Sequence, residues 1–192
     1  MKTAVDILIG LVLLVIALSF ILVYVNTHPP RYPLNIAPSA YQADYESVSF
    51  VTEDGFTLKG WLIKPPHAAP RSAGIIICHG LGANKSDFTD LAAFLAPRGY
   101  LVLTFDFRAH GESEGGRTSL GYHEQKDVKA ALGYLTSRPE VDPKRIGIFG
   151  FSLGGSTAIL AAAETGQFAA VVADSAFTTL RDQAREAITG FY

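Results

Sequence analysis

At 192 residues, with 48% hydrophobic and 18% charged residues, the chain is long enough for one globular domain with a full core, which excludes a disordered protein. A formal net charge of -2 offers no basic surface to neutralise phosphates, so no nucleic-acid partner is expected. One cysteine, Cys78, excludes an internal disulfide, and no Cys/His cluster has the spacing of a zinc site, so neither metal nor cofactor is expected.

After a six-residue flank, "ILIGLVLLVIALSFILVYV" (residues 7–25) carries no charge and no proline. As a helix it reaches roughly 28 Å, enough to cross a bilayer core. A cleaved signal peptide is the competing reading, because Ala17-Leu18-Ser19 resembles a small-x-small cleavage site. Apolar residues continue through Val25, however, which favours an uncleaved single-pass anchor. Lys2 and the amino terminus precede the segment and Arg31 follows it, so the charge balance leans towards an extracytoplasmic domain. Tyr24 would sit at the far interface.

Residues 26–44, beginning "NTHPPRYPLNIAPSAY", are rich in proline and polar side chains and lack a periodic apolar pattern, so they read as an extended tether. The domain itself is expected over residues 45–192. "SVSFVTEDGFTLKGWLIKP" alternates on both sides of Asp54-Gly55 and predicts two antiparallel strands joined by a tight hairpin turn. "SAGIIICHG" is a strand buried on both faces, and a helix is expected from about Ser86 to Ala96. "YLVLTFDFRAHG" is a further buried strand running into a polar loop. Val128, Leu132 and Leu135 then mark one face of a helix. "RIGIFG" is a strand, "STAILAAAET" a helix of small residues, "FAAVVADSAF" a strand, and "TLRDQAREAI" the start of a last helix. A hairpin followed by strand-helix alternation predicts an α/β fold: a mostly parallel sheet with helices on both faces, binding ligands at the carboxyl ends of its strands.

Gly150-Phe151-Ser152-Leu153-Gly154 matches G-x-S-x-G between a strand and a helix. A turn this sharp strains the serine, and side chains at the flanking glycines would collide with neighbouring elements. The hydroxyl is presented near a helix amino terminus, whose free N–H groups favour developing negative charge. Ser152 is therefore the candidate nucleophile. Acyl transfer also needs two donors for the oxyanion: Leu153 supplies the N–H after the serine, and Leu81 in "CHGLGAN" supplies one from the loop after an earlier strand.

The pieces "DGFTLKGWLIKP", "HGLGAN", "DFRAHGESEG", "RIGIFGFSLGG" and "VVADSAF" together resemble the α/β-hydrolase superfamily, within it the esterase and peptidase-like group of acyl-peptide hydrolase and dienelactone hydrolase relatives. The resemblance runs from about residue 46 to 180. It implies a serine hydrolase acting on a small-molecule acyl substrate, and membrane-anchored bacterial members with a similar tether are common in that group. It also implies that Asp106 and His110 in "DFRAHGES" pin a loop rather than catalyse, and that His79 is a scaffold beside the oxyanion loop.

Serine needs a base, usually a histidine oriented by a carboxylate. His28, His67, His79, His110 and His123 all precede Ser152, whereas in this fold the order is serine, acid, histidine. The family sheet has eight strands and six can be placed, so the resemblance implies that the acid and histidine follow strands seven and eight, beyond Tyr192. A partial fold lacking its last two strands is expected, with the sixth strand left as a sheet edge. Asp174 is the substitute acid within the chain, although in this group the position more often shapes the pocket. Three readings stay open: an esterase acting through Ser152, a peptidase, and a membrane-tethered binding module that has lost its triad.

Overall fold

The structure is a computed structural model, and it describes residues 2–66 and 71–177. His67 and the helix expected to start near Thr179 lie outside the described residues. Helix α1 (Lys2–Thr27) is followed by an irregular stretch and strands β1 (Tyr45–Val51), β2 (Thr57–Ile63) and β3 (Ser72–Cys78). Helix α2 (Thr89–Leu95), strand β4 (Leu101–Phe105), helix α3 (Glu124–Thr136), strand β5 (Val141–Phe151), helix α4 (Leu153–Thr165) and strand β6 (Ala170–Asp174) complete the described order.

The strands form one sheet in the order β1-β2-β4-β3-β5-β6. β2 pairs antiparallel with β1 and β4, and every other pairing is parallel. This is the architecture of a partial α/β-hydrolase fold, as expected. The period of two in the strands divides the core between the two faces. Ile76 and Cys78 of β3 and Leu101, Leu103 and Phe105 of β4 join Val128, Leu132 and Leu135 of α3 and Ala158 and Ala161 of α4 on one face. Ile77 and Val102 lie on the other face with Trp61, Ile63 and Ala92 of α2.

Three local expectations change. The hairpin forms around Asp54-Gly55, but the strands close at Thr52 and Phe56, leaving a three-residue loop with Gly55 at φ 89°. The Thr52 hydroxyl donates to Asp54 and accepts the N–H of Phe56, which favours the wider loop. α2 starts at Thr89 rather than Ser86. The side chain of Asn84 takes the Ser86 N–H, and that of Asp87 takes the Asn84 N–H, competing with the helical ladder. β5 begins four residues earlier than the motif "RIGIFG", with an irregular register opposite Ser72 and Gly74.

α1 is long and apolar enough to cross a membrane: within Thr3–Thr27 its most apolar 18-residue stretch has a mean hydropathy of 3.1, and that stretch is not buried against the domain. The segment after it is irregular up to residue 37 and then makes one 3-10 turn, Pro38–Tyr41, and it is docked as a strap rather than hanging free of the domain. The guanidinium of Arg31 donates to the carbonyls of His110, Gly111, Ser113 and Gly115 at 2.6–3.3 Å. Asn35 then bonds Ser86 and Asp87, the carbonyl of Ile36 accepts the Thr89 hydroxyl, and Leu34 and Ala37 pack on the α2 face of the sheet.

Candidate active site

β5 and α4 meet at Ser152, which takes φ 52° and ψ -115°, a conformation that L side chains rarely adopt. Two backbone bonds hold it there: its N–H donates to the carbonyl of Asp174 at 2.8 Å, and its carbonyl accepts the N–H of Ser156 at 3.0 Å. The glycines are required by space. A Cβ on Gly150 would lie 2.3 Å from the carbonyl oxygen of Gly154, and one on Gly154 would lie 2.3 Å from the carbonyl oxygen of Cys78. The hydroxyl of Ser152 does not cap α4, and among the described residues it makes no hydrogen bond.

The loop after β3 lies directly alongside. A Cβ on Gly80 would be 3.5 Å from that of Ser152. The loop turns through a Gly80 carbonyl to Ala83 N–H bond, with Gly82 at φ 72°. Leu81 is 39% exposed, and its N–H has no partner among the described residues. The N–H of Leu153, at the first position of α4, has no intrahelical acceptor.

Two of the described histidines are buried and bonded to backbone groups. Buried His79 donates from Nδ1 to the Gly80 carbonyl at 2.7 Å and accepts the Phe107 N–H on Nε2 at 3.1 Å. Both nitrogens thus serve backbone groups. Burial, followed by neighbouring His110, pushes its pKa down to about 3, so it is a neutral scaffold. His110 is also buried, donates to the Arg108 carbonyl at 2.9 Å and is held below its ordinary pKa by burial. His28 stacks on Tyr24 with ring centroids 4.1 Å apart, and His123 is exposed at the start of α3. Asp174 is exposed and accepts the Ser175 hydroxyl at 2.9 Å, so its observed link to Ser152 is through its backbone.

The polar side chains of the loop after β4 hold the site together. Fully buried Asp106 accepts the Lys85 N–H and the Lys85 ammonium, each at 2.7 Å, and also the Glu112 N–H. Lys85 closes a second pair with Glu112 at 2.6 Å. Arg108 reaches Asp127 in α3 and Asp54 in the hairpin, which ties three elements to one guanidinium. Glu124 gathers the Thr118 and Ser119 hydroxyls and the N–H groups of Ser119 and Gly121. Burial raises its pKa, but these donors outweigh burial and hold it below the ordinary value. Sequence reading missed Lys85, Asp127, Glu124 and Arg31, since a charged residue in a loop or on a helix ordinarily marks solvent. Among the described residues no cluster of three or more His, Cys, Asp or Glu side chains could hold a metal ion.

Comparison with known proteins agrees with this geometry. The family model described as X-Pro dipeptidyl-peptidase (S15 family) matches residues 26–189. The uncharacterized protein YfhR of Salmonella typhi is 32% identical over 172 residues, covering 83% of this chain and 58% of the relative. The quorum-quenching protein AidA of Acinetobacter baumannii is 38% identical over 107 residues, covering 54% of this chain and 35% of the relative. The chain thus spans about half the length of the curated relatives it matches. Among solved structures, the Pyrococcus furiosus esterase Pf2001 superposes with a TM-score of 0.76 at 34% identity, covering 84% of this chain and 64% of the esterase. The chain belongs to the X-Pro dipeptidyl-peptidase (S15) family of α/β hydrolases.

Proposed function

We propose that this chain is the amino-terminal part of a membrane-anchored serine hydrolase that cleaves esters through an acyl-enzyme on Ser152. The observation that carries the reading is the strained Ser152 backbone at the head of α4, with Gly80 packed against it. Ser152 Oγ attacks the ester carbonyl carbon while its proton passes to a base. The oxyanion is received by the N–H groups of Leu81 and Leu153. The ester C–O bond breaks, and the alcohol departs with the proton. Water then attacks the acyl-enzyme, releasing the acid and restoring the hydroxyl. On this reading the base and its carboxylate are contributed by sequence beyond Tyr192, in the half of the relatives' length that this chain does not span. Asp174 shapes the elbow from its backbone. No cofactor enters, and α1 holds the domain on the extracytoplasmic side of the membrane.

Ester rather than peptide substrates are favoured by the 34% identity to an esterase. The family model, named for an X-Pro dipeptidyl-peptidase, favours the second reading, an amide-cleaving enzyme. The full-length protein, solubilised in detergent, should hydrolyse p-nitrophenyl butyrate faster than Ala-Pro-p-nitroanilide. It should also be labelled by a fluorophosphonate at Ser152, and Ser152→Ala should abolish both. Loss of the activating histidine of a serine triad costs about 10⁶-fold in turnover, so residues 1–192 alone should be labelled at least about 10³-fold more slowly. Labelling that survives Ser152→Ala would overturn the assignment, and faster anilide hydrolysis would select the peptidase reading.

A further inference from the structure

The end of α1 and the Ser152 edge of the sheet meet. β3, β4 and β5 run parallel, so the loops leaving their carboxyl ends share one edge: the Gly80 loop, the 106–123 loop and Ser152. The carbonyl of Thr27, the last residue of α1, accepts the N–H of Thr118 in the second of these loops at 2.8 Å. Only His28, Pro29 and Pro30 separate Thr27 from Arg31, whose guanidinium is fixed on four carbonyls of the same loop. Asn35 and Ile36 then bond the segment that follows the Gly80 loop. The strap therefore has no slack between the apolar helix and the edge that carries Ser152.

The side chains around this junction suit a bilayer interface. Tyr24, Tyr32 and Tyr122 are exposed, the last by 75%, and a tyrosine presents an apolar ring with a polar tip to such a boundary. Arg117 and His123 line a cleft of about 520 Å³ together with Val23 and Thr27 of α1. Leu81 and Phe151, either side of the Ser152 site, are 39% and 37% exposed.

We infer that α1 holds the Ser152 edge against the bilayer surface and that the substrate is an acyl ester of a membrane lipid, taken from the leaflet where α1 ends. This rests on the reading of Ser152 as nucleophile and names its substrate class. The lipid's acyl group passes to Ser152 Oγ, its alcohol leaves with the serine proton, and water returns the free fatty acid. The rigid link turns a bimolecular encounter into a search within one surface, which raises the effective substrate concentration.

The test places the full-length protein in phosphatidylcholine–phosphatidylglycerol vesicles that also contain a phospholipid with a fluorogenic acyl ester. p-Nitrophenyl butyrate in the surrounding buffer is assayed in parallel. Twenty Gly/Ser residues inserted between Thr27 and His28 add about 25 Å of flexible reach. The parent should hydrolyse both substrates, and the insertion should lower the ratio of lipid to butyrate rates at least about 10-fold. Because the ratio is read, partial unfolding that slows both reactions alike does not mimic the effect. An unchanged ratio, or cleavage of a vesicle-anchored acylated peptide without cleavage of the phospholipid, overturns the inference. Failure of the parent on the lipid alone overturns it too, while failure on both substrates overturns the serine-hydrolase reading beneath it.

Discussion

At Ser152 the backbone stores free energy that a different residue would release. Its φ of 52° with ψ of -115° is glycine territory, and such a conformation costs an L residue of order 1–3 kcal/mol. Glycine at this position would remove the strain but lose about 0.5–1 kcal/mol through its freer unfolded chain. Ser152→Gly should therefore raise unfolding stability by about 1 kcal/mol, whereas Ser152→Ala, which keeps the Cβ, should change it by less than about half that. Urea denaturation of the two variants separates them. Equal stabilities would mean that the elbow is relaxed and that the serine is held for another reason. The flanking glycines admit no such exchange, because at Gly154 a methyl group would meet the Cys78 carbonyl from the neighbouring strand.

The loop between β4 and α3 is an element without regular structure, stiffened by ion pairs instead of a backbone ladder. Arg31 closes it from outside by collecting four carbonyls on one guanidinium. Hydrogen bonds to a charged donor contribute about 1.5–3 kcal/mol, so Arg31→Ala should weaken the loop's local stability by about 2 kcal/mol. The amides of Ala109 and Ser113, bonded within the loop to Glu114 and His110, should then exchange roughly 30-fold faster, while those of β3 and β4 keep their protection. Uniform acceleration across the sheet would instead show that the strap supports the whole fold. The same element marks the limit of what the chain reveals as a string of letters. The elbow, the hairpin and the buried strands were legible because glycine spacing and apolar alternation act within a few residues. Lys85 with Asp106, Arg108 with Asp54 and Asp127, and Arg31 with its carbonyls are pairings across 19 to 84 positions. Nothing local distinguishes those charges from solvated ones. The prolines of the strap announced an irregular backbone but not the surface it lies on.

For the molecule as a whole, the buried histidines bind folding to pH. His79 has a folded pKa near 3, against an ordinary value of 6.5, because burial disfavours its cation. A depressed folded pKa contributes stability that is present above about pH 6.5 and is lost as pH falls, by about 1.4 kcal/mol per unit. Between pH 7.5 and 5 the loss at His79 is about 2 kcal/mol, and His110, shifted in the same direction, adds to it. Asp127 runs the other way. Burial raises its pKa to about 6 against the hydrogen bonds of Arg108, so its contribution is lost as pH rises through that value. A wild-type profile therefore mixes opposing slopes, and the histidine is isolated by difference. His79→Gln removes the titrating group, and the stability gap between the parent protein and this variant should shrink by about 2 kcal/mol when the pH is lowered from 7.5 to 5. A constant gap would show that His79 keeps its ordinary pKa, and that the core behind the Gly80 loop admits the water its burial excludes.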